Sequence, residues 1–333
     1  MIHTGEAKAL ILCSPNYYGM TANLVPLVEA AHARQIPVLV DEAHGAHFGL
    51  HPAFPRNALQ AGADVVVQST HKMLSSLTMS AMLHMQGDLV YRPAIRQALG
   101  MVQSSSPSYP LMASLDLARR EIHVRGSTLF EPALAVSRTV REACAGLPFE
   151  ALNADDPLKL SIKETRERLN GFELQAKLEE QGCVVEMADA KYAVLALGPG
   201  TREVDADVLL RALNEIAGEL EMERLESSRD QQSPANNASP SITYGQTYGQ
   251  ISEPVTIRRR TTHTSTVSLE AAAGRICGEW IIPYPPGIPL LYPGEPISKD
   301  ALEELKRLAA AGARFQGGVG RIVGDHPSPD GRG

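Results

Sequence analysis

Apolar positions recur with two different spacings along this chain, and the alternation between them predicts an α/β protein. Residues 8–14 form a short apolar run that enters Pro15-Asn16-Tyr17-Tyr18-Gly19, a turn-forming loop. Over 22–34, Leu24, Leu27, Val28 and Ala31 return at helical spacing, and a second strand-like run follows at 36–40. This order is β-α-β, a unit with parallel strands and a right-handed crossover. A short helix is expected at 53–62, strands at 63–69 and 80–85, and helices at 94–102, 111–124 and 129–145.

After Leu147-Pro148 the spacing predicts strands at 158–162, 183–187 and 192–197, and helices at 171–180 and 204–220. Further helices are expected at 268–276 and 299–311, separated by a stiff extended loop at 283–289 that carries four prolines. Residues 226–267 differ in kind, being rich in Ser, Gln, Asn, Pro and Thr, with Thr243-Tyr244-Gly245-Gln246 repeated at 247–250 and a basic triplet Arg258-Arg259-Arg260. A flexible insertion is expected there. The domain division is then a large α/β domain over 1–148, a smaller α/β or α+β domain over 149–225 and 268–322, the insertion at 226–267 and a frayed tail at 323–333.

The most informative stretch is 38–72. One apolar run ends in Asp41-Glu42-Ala43-His44, and the next, Ala63-Asp64-Val65-Val66-Val67, closes on Ser69-Thr70-His71-Lys72. Open α/β sheets bind ligands at the carboxyl ends of their strands, so a carboxylate and a lysine arrive at neighbouring strand ends. A pyridoxal phosphate site needs that pair: Asp41 to keep the pyridine nitrogen protonated and Lys72 to carry the cofactor as a Schiff base. Small Ala43 leaves room for a flat ring, while Ser69 and His71 can bind the phosphate or relay a proton.

Other readings of the same residues are weaker. Asp41-Glu42-Ala43-His44 resembles the acidic box of a helicase, but no G-x-x-x-x-G-K-[ST] loop precedes it. Asp41 with His44, His47 and His51 could bind a metal, yet Gly45, Gly49 and Pro52 oppose the regular helix that spacing needs. An inert doubly wound core remains the bland alternative for any one of these residues.

Bulk properties narrow the class. The chain has 333 residues and a formal charge of −7, which argues against a nucleic-acid surface built on overall charge. Cys13, Cys144, Cys183 and Cys277 are scattered without C-x-x-C or zinc-type spacing, so a reduced, cytoplasmic setting is expected and no metal centre. No run reaches the ~18 apolar residues of a membrane helix, and the start lacks a signal-peptide pattern.

Taken together, Asp41-Glu42-Ala43-His44-Gly45-Ala46-His47-Phe48 and Ser69-Thr70-His71-Lys72 resemble the Orn/Lys/Arg decarboxylase family of fold-type I pyridoxal phosphate enzymes, which share the aspartate-aminotransferase-like fold. The resemblance extends over Ser14 to Gly19, Gln103-Ser104-Ser105-Ser106-Pro107-Ser108-Tyr109, Ala113-Ser114-Leu115-Asp116, Pro283 to Pro289 and Pro293-Gly294-Glu295. It implies decarboxylation of arginine, lysine or ornithine to a polyamine-pathway amine and carbon dioxide. Lys72, Asp41, His71 and His44 would be catalytic, and Asp41, Ala43, Ser69, His71, Lys72, Ser105 and Ser106 would contact pyridoxal phosphate. The Ser104–Ser106 loop is implied to reach a neighbouring subunit's phosphate, making a homodimer or higher oligomer the active unit.

Two departures accompany the resemblance. Asn16 stands where the family loop has threonine, and the family's phosphate loop and ring-stacking histidine would precede Ser14, where the chain has no room for them. A carboxyl-terminal piece with weak cofactor binding is therefore expected, with a missing amino-terminal half as a possible partner. An aminotransferase-like activity, or an inactive fragment acting by association, is the alternative. Glu279 and Glu295 are candidates for holding a substrate's distal cation.

Overall fold

The structure is a computed structural model that describes residues 7–230, 264–284, 287–316 and 321–325. Two compact units emerge, the first built mainly from residues 1–162 and the second from 163–181, 185–193 and 215–333. Among the described residues no helix is long and apolar enough to cross a membrane.

The first unit opens with β1 (Leu10–Cys13), α1 (Leu24–His32), β2 (Val38–Asp41) and β3 (Val65–Gln68). The short α2 (Thr70–Met73) and strand β4 (Met82–Met85) follow. The sheet order is β1-β2-β3-β4, with β1, β2 and β3 parallel and β4 antiparallel to β3. Leu24, Val28 and Ala31 of α1 lie on one helix face and pack on Val38, Val40 and Val66, as the spacing predicts. Pro26 sits in the first turn of α1, where its missing N–H breaks no helix bond.

The opposite sheet face is open. Ile11 is 73 % exposed, and Cys13, Asp41 and Val67, paired across the three parallel strands, are also exposed. Parallel sheets are ordinarily covered on both faces.

The expected helix at 53–62 does not form. That segment is a series of turns, because Asn57 Oδ1 accepts from Gln60 N at 2.8 Å and Glu42 Oε1 accepts from Ala58 N at 2.7 Å. Side chains thus take the backbone donors that a helix would use, and Pro52 and Pro55 oppose one as well.

Helices α3 (Arg92–Val102), α4 (Tyr109–Arg125) and α5 (Glu131–Cys144) match their expected places, with a 3-10 turn at Gly126–Leu129 before α5. No side chain of α3 is buried. Strands β5 (Phe149–Ala151) and β6 (Lys159–Glu164) come next, β5 having escaped the sequence pattern through its brevity. Leu152 N donates to Ser161 O at 2.8 Å.

Helix α6 (Gly171–Glu180) starts on a capping box in which Asn170 Oδ1 accepts from Glu173 N and Glu173 accepts from Asn170 N. The strand expected at 183–187 shrinks to β7 (Met187–Ala188); Val184, at 86 % exposure, has nothing to pack against. Strand β8 (Ala193–Ala196) and helix α7 (Glu203–Asp230) follow.

Residues 226–230 therefore continue a helix, and 264–268 form β9 (Thr264–Ser268), so both ends of the expected insertion are ordered. The rest of it, including Arg258-Arg259-Arg260 and the Thr-Tyr-Gly-Gln repeat, lies outside the described residues. The helix expected at 268–276 is a single 3-10 turn, Leu269–Ala271, leading to β10 (Ile276–Cys277). Its backbone bonds go elsewhere: Gly274 N donates to Ile297 O and Ile297 N to Arg275 O.

The proline-rich segment is not one extended loop. After β11 (Ile282–Tyr284) it turns back, with Ile281 bridged antiparallel to Leu291; Pro285 and Pro286 lie outside the described residues. Helix α8 (Lys299–Ala310), β12 (Arg314–Gln316) and β13 (Arg321–Asp325) complete the second unit. β13 pairs with β9 and β10, so the expected frayed tail begins in a strand. Leu302 and Leu305 of α8 pack with Cys277, Ile281, Leu291 and Ile297 in a separate core.

Candidate active site

Chain order across the β1-β2-β3 sheet sets the site. Cys13, Asp41 and Val67 stand side by side in register at the strands' carboxyl ends. Asp41 Oδ1 accepts from Ala43 N at 3.0 Å, which turns the chain immediately after the strand. Lys72 comes one residue into the turn after Ser69 and His71, with its N donating to Ser69 O at 3.1 Å. Asp41 and Lys72 both act on the Cys13 thiol, an exposed residue whose partial desolvation raises its pKa most, while the Asp41 charge raises it further and Lys72 opposes them.

His44 is the hub that the sequence reading named without a partner. It is buried, with Nε2 3.1 Å from Lys72 Nζ and Nδ1 3.3 Å from Lys159 Nζ. The Tyr17 ring lies 4.6 Å from the imidazole, centroid to centroid. Burial first, then the charges of Lys159, Lys72, His47 and His71, push the His44 pKa down from 6.5 to about 3. His44 is therefore a neutral imidazole across the physiological range.

His71 is tied down differently. Its Nδ1 lies 2.9 Å from Ser80 O; a carbonyl only accepts, so Nδ1 carries a proton and donates. Ser69 is half-buried at the start of α2. Ser105 and Ser106 sit in an exposed loop between α3 and α4 that bonds to itself, Ser106 N donating to Ser104 Oγ at 3.1 Å.

The three histidines considered as metal ligands diverge. His44 faces the two lysines, His47 Nε2 contacts Asp156 Oδ1 at 3.0 Å, and His51 Nε2 contacts Glu131 Oε1 at 3.2 Å. Glu295 Oε2 accepts from Tyr292 N at 3.1 Å, fastening its own turn in the second unit.

Glu42, Asp156 and Lys159 escaped the sequence reading, whereas Tyr17 lies in the 15–19 loop that it singled out. Lys159 is 1 % exposed, and the signal for it was a lysine inside the apolar run Leu158-Lys159-Leu160. Arg141 Nη2 donates to Lys159 O at 2.7 Å and Arg141 Nη1 to Leu152 O at 2.7 Å, so α5 holds this segment in place. Glu42 is buried, accepting from Ala58 N and from Gln68 Nε2 at 2.6 Å; desolvation outweighs those bonds and raises its pKa to about 7.

The decisive observation is that the major-domain sequences of the Orn/Lys/Arg decarboxylases match residues 3–154, and those of their C-terminal domain match 247–331. The chain belongs to the Orn/Lys/Arg decarboxylase family. It is 38 % identical over 330 residues to the Bacillus subtilis (strain 168) protein YaaO, covering 94 % of this chain and 64 % of that one. To the arginine decarboxylase of the same organism it is 34 % identical over 329 residues, again covering 94 % and 64 %. The chain thus spans less than two thirds of these relatives.

Lysine decarboxylase A from Pseudomonas aeruginosa superposes with a TM-score of 0.70 at 18 % identity, over 96 % of this chain and 57 % of that one. That likeness places the fold among the fold-type I enzymes. The residues here suit pyridoxal phosphate by their chemistry: an exposed carboxylate at the end of β2, an exposed lysine in the short helix that follows the adjacent β3, and a small Ala43 two residues past the carboxylate.

Proposed function

We propose that this chain carries the lysine and aspartate of a pyridoxal phosphate site that removes the α-carboxylate of a basic amino acid. The observation that supports it is that Asp41 ends β2 while Lys72 lies in the short helix directly after β3, the parallel neighbour of β2. Arginine is the first substrate to test, because the 34 % identical relative is named an arginine decarboxylase; lysine and ornithine follow. The amine produced would belong to polyamine metabolism.

Lys72 would hold the cofactor through its ε-amine and yield that position to the substrate's α-amine. Asp41 would keep the ring nitrogen protonated, a charge pair that favours both ions. When bound, the cofactor supplies an electron sink for the pair left on Cα as carbon dioxide departs. Ala43 would leave space for the flat ring, while Ser69 and His71 would lie at the phosphate or relay a proton. His44, neutral and against Lys72, would hold the lysine in place.

Ser105 and Ser106 would serve the phosphate of a neighbouring copy, within a homodimer or higher oligomer. Support comes from α3 and α4, which present Met101, Val102, Tyr109 and Met112 to solvent. A second reading, association with a polypeptide that supplies the unmatched third of the relatives, is favoured by the open sheet face at Ile11 and Val67. Residues 1–148, the large domain of the sequence reading, would contribute these site residues.

The test is incubation with pyridoxal phosphate, borohydride trapping and peptide mapping, followed by carbon dioxide release from arginine, lysine and ornithine. A visible band with label at Lys72 and release from one substrate supports decarboxylation. Transamination products instead would favour the aminotransferase reading, and no band would leave the association reading.

A further inference from the structure

Tyr17 lies against both members of the His44–Lys72 pair. Lys72 Nζ sits over the Tyr17 ring, 5.8 Å from its centroid, and the same ring lies 4.6 Å from the His44 imidazole, tilted by 58°. His44 Nε2 is 3.1 Å from Lys72 Nζ, so the three side chains close a triangle. The tyrosine comes from the loop after β1, the histidine from the turn after β2 and the lysine from the short helix after β3.

We propose that Tyr17 is a positioning residue: its ring face and the His44 imidazole together hold the ammonium of Lys72 at one place beside the strand ends. This rests on the reading of Lys72 as the cofactor-bearing lysine.

The chemistry of the three groups agrees with that role. Lys72 is exposed, and an exposed lysine is an ammonium at neutral pH, with three donors and no acceptor. A neutral imidazole offers one acceptor nitrogen, and Nε2 of His44 is the ring nitrogen beside Lys72. An aromatic face carries the negative side of the ring's charge distribution and attracts an ammonium within about 6 Å of its centroid. Leucine in place of Tyr17 would offer bulk and no such face. The charged and titratable groups around Lys72 are His44, His71 in its own helix, and Cys13 and Asp41 at the ends of β1 and β2.

The loop that carries the ring is pinned on both sides. Asn16 Oδ1 accepts from Tyr18 N and from Met20 N, each at 3.0 Å, and Asn16 N donates to Met20 O at 2.9 Å. Gly19 O accepts from Asp156 N at 2.9 Å, which fastens the loop to the segment before β6. Gly19 has φ +86, and a Cβ there would lie 2.9 Å from Cβ and Cγ of Lys159, so only glycine lets the loop close this far. Tyr17 is half-buried between these fastenings, a fixed surface rather than a swinging ring.

The experiment uses the full chain without cofactor. Competitive acetylation, read at the Lys72 peptide against exposed Lys8 as internal reference, reports how often the Lys72 amine is free. At neutral pH, Tyr17→Leu should raise Lys72 labelling about two- to fivefold, the strength of an exposed cation–π contact. Near pH ~11, where lysine amines are largely free, the two proteins should label alike, because the ring has no cation left to hold. Tyr17→Phe should label as wild type at both pH values. Phenylalanines with successively more ring fluorines at position 17 weaken the face at nearly constant shape, and should raise neutral-pH labelling step by step.

Neutral-pH labelling of folded Tyr17→Leu within about 1.5-fold of wild type overturns the proposal. So does a ratio that persists near pH ~11, which would mean that the ring only limits access. Tyr17→Phe behaving like Tyr17→Leu also overturns it, since the hydroxyl and not the face would then act. If Tyr17→Leu fails to fold, the fluorinated series decides, and a flat series overturns the proposal. Because no cofactor or turnover enters the measurement, its failure is separate from failure of the decarboxylase reading, which shows as absence of the cofactor band.

Discussion

His47 and Asp156, 109 residues apart in sequence, meet at 3.0 Å with both side chains fully buried. Asp156 Oδ1 also accepts from Leu158 N at 3.0 Å, and the His47 ring is boxed by Phe48, Phe54 and Phe130. Removing one partner of such a pair strands a polar group in an apolar box. Asp156→Ala is expected to lower unfolding free energy by about 3–5 kcal/mol, measured by urea denaturation. A loss below about 1 kcal/mol would show that the pair is not structural.

Asp41 makes the opposite prediction because it is exposed and its carboxylate, among the described residues, accepts from Ala43 N within its own turn. Asp41→Asn should leave stability within about 0.5 kcal/mol and still allow borohydride labelling of Lys72. On the proposed decarboxylase reading, carbon dioxide release should fall by at least about a hundredfold, since a neutral amide would not hold the ring nitrogen's proton. Equal turnover in the variant would remove Asp41 from the chemistry.

How much of this could be read from the chain depends on where each residue's partners lie. Asp41 and Lys72 were legible because strand ends and turns are local features, and two of them flank one crossover. Leu24, Val28 and Ala31 announced their helix face for the same reason. Lys159 was not legible, because its meaning depends on His44, 115 residues away, and no periodicity carries that distance. The false helix at 53–62 failed on Glu42, a side chain outside the window that takes the Ala58 N–H. Residues 268–276 failed similarly, their backbone bonds being answered by Ile297.

Gly171 offers a sharp steric test in the second unit. A Cβ there would lie 2.3 Å from Asp189 O and 2.4 Å from Tyr192 O, both main-chain atoms. Backbone cannot step aside as a flexible side chain can, so Gly171→Ala should cost well over the ~1 kcal/mol that alanine would otherwise gain in a helix. The neighbouring Asn170→Ala, which removes only the cap, should cost about 1 kcal/mol. Thermal melts of the two variants should therefore rank Gly171→Ala clearly lower, and a reversed order would mean that the 189–192 turn yields.

Glu42 and His44 pull stability in opposite directions with pH. Glu42 is raised from 4.5 to about 7, so the folded state keeps a proton the unfolded chain has lost, and stability declines as pH climbs through that window. His44 is lowered from 6.5 to about 3, so the unfolded chain takes up the extra proton, and stability grows as pH climbs from 3 to 6.5. Between 4.5 and 6.5 the two slopes cancel. In Glu42→Gln the compensation is gone, and its stability relative to wild type should rise by about 3 kcal/mol in total between pH 4.5 and 7. In His44→Asn the relative stability should fall with rising pH from about 3 to 6.5. Urea midpoints taken at half-unit pH steps give both difference curves, and a flat curve for either variant would show that its residue titrates alike in folded and unfolded chains.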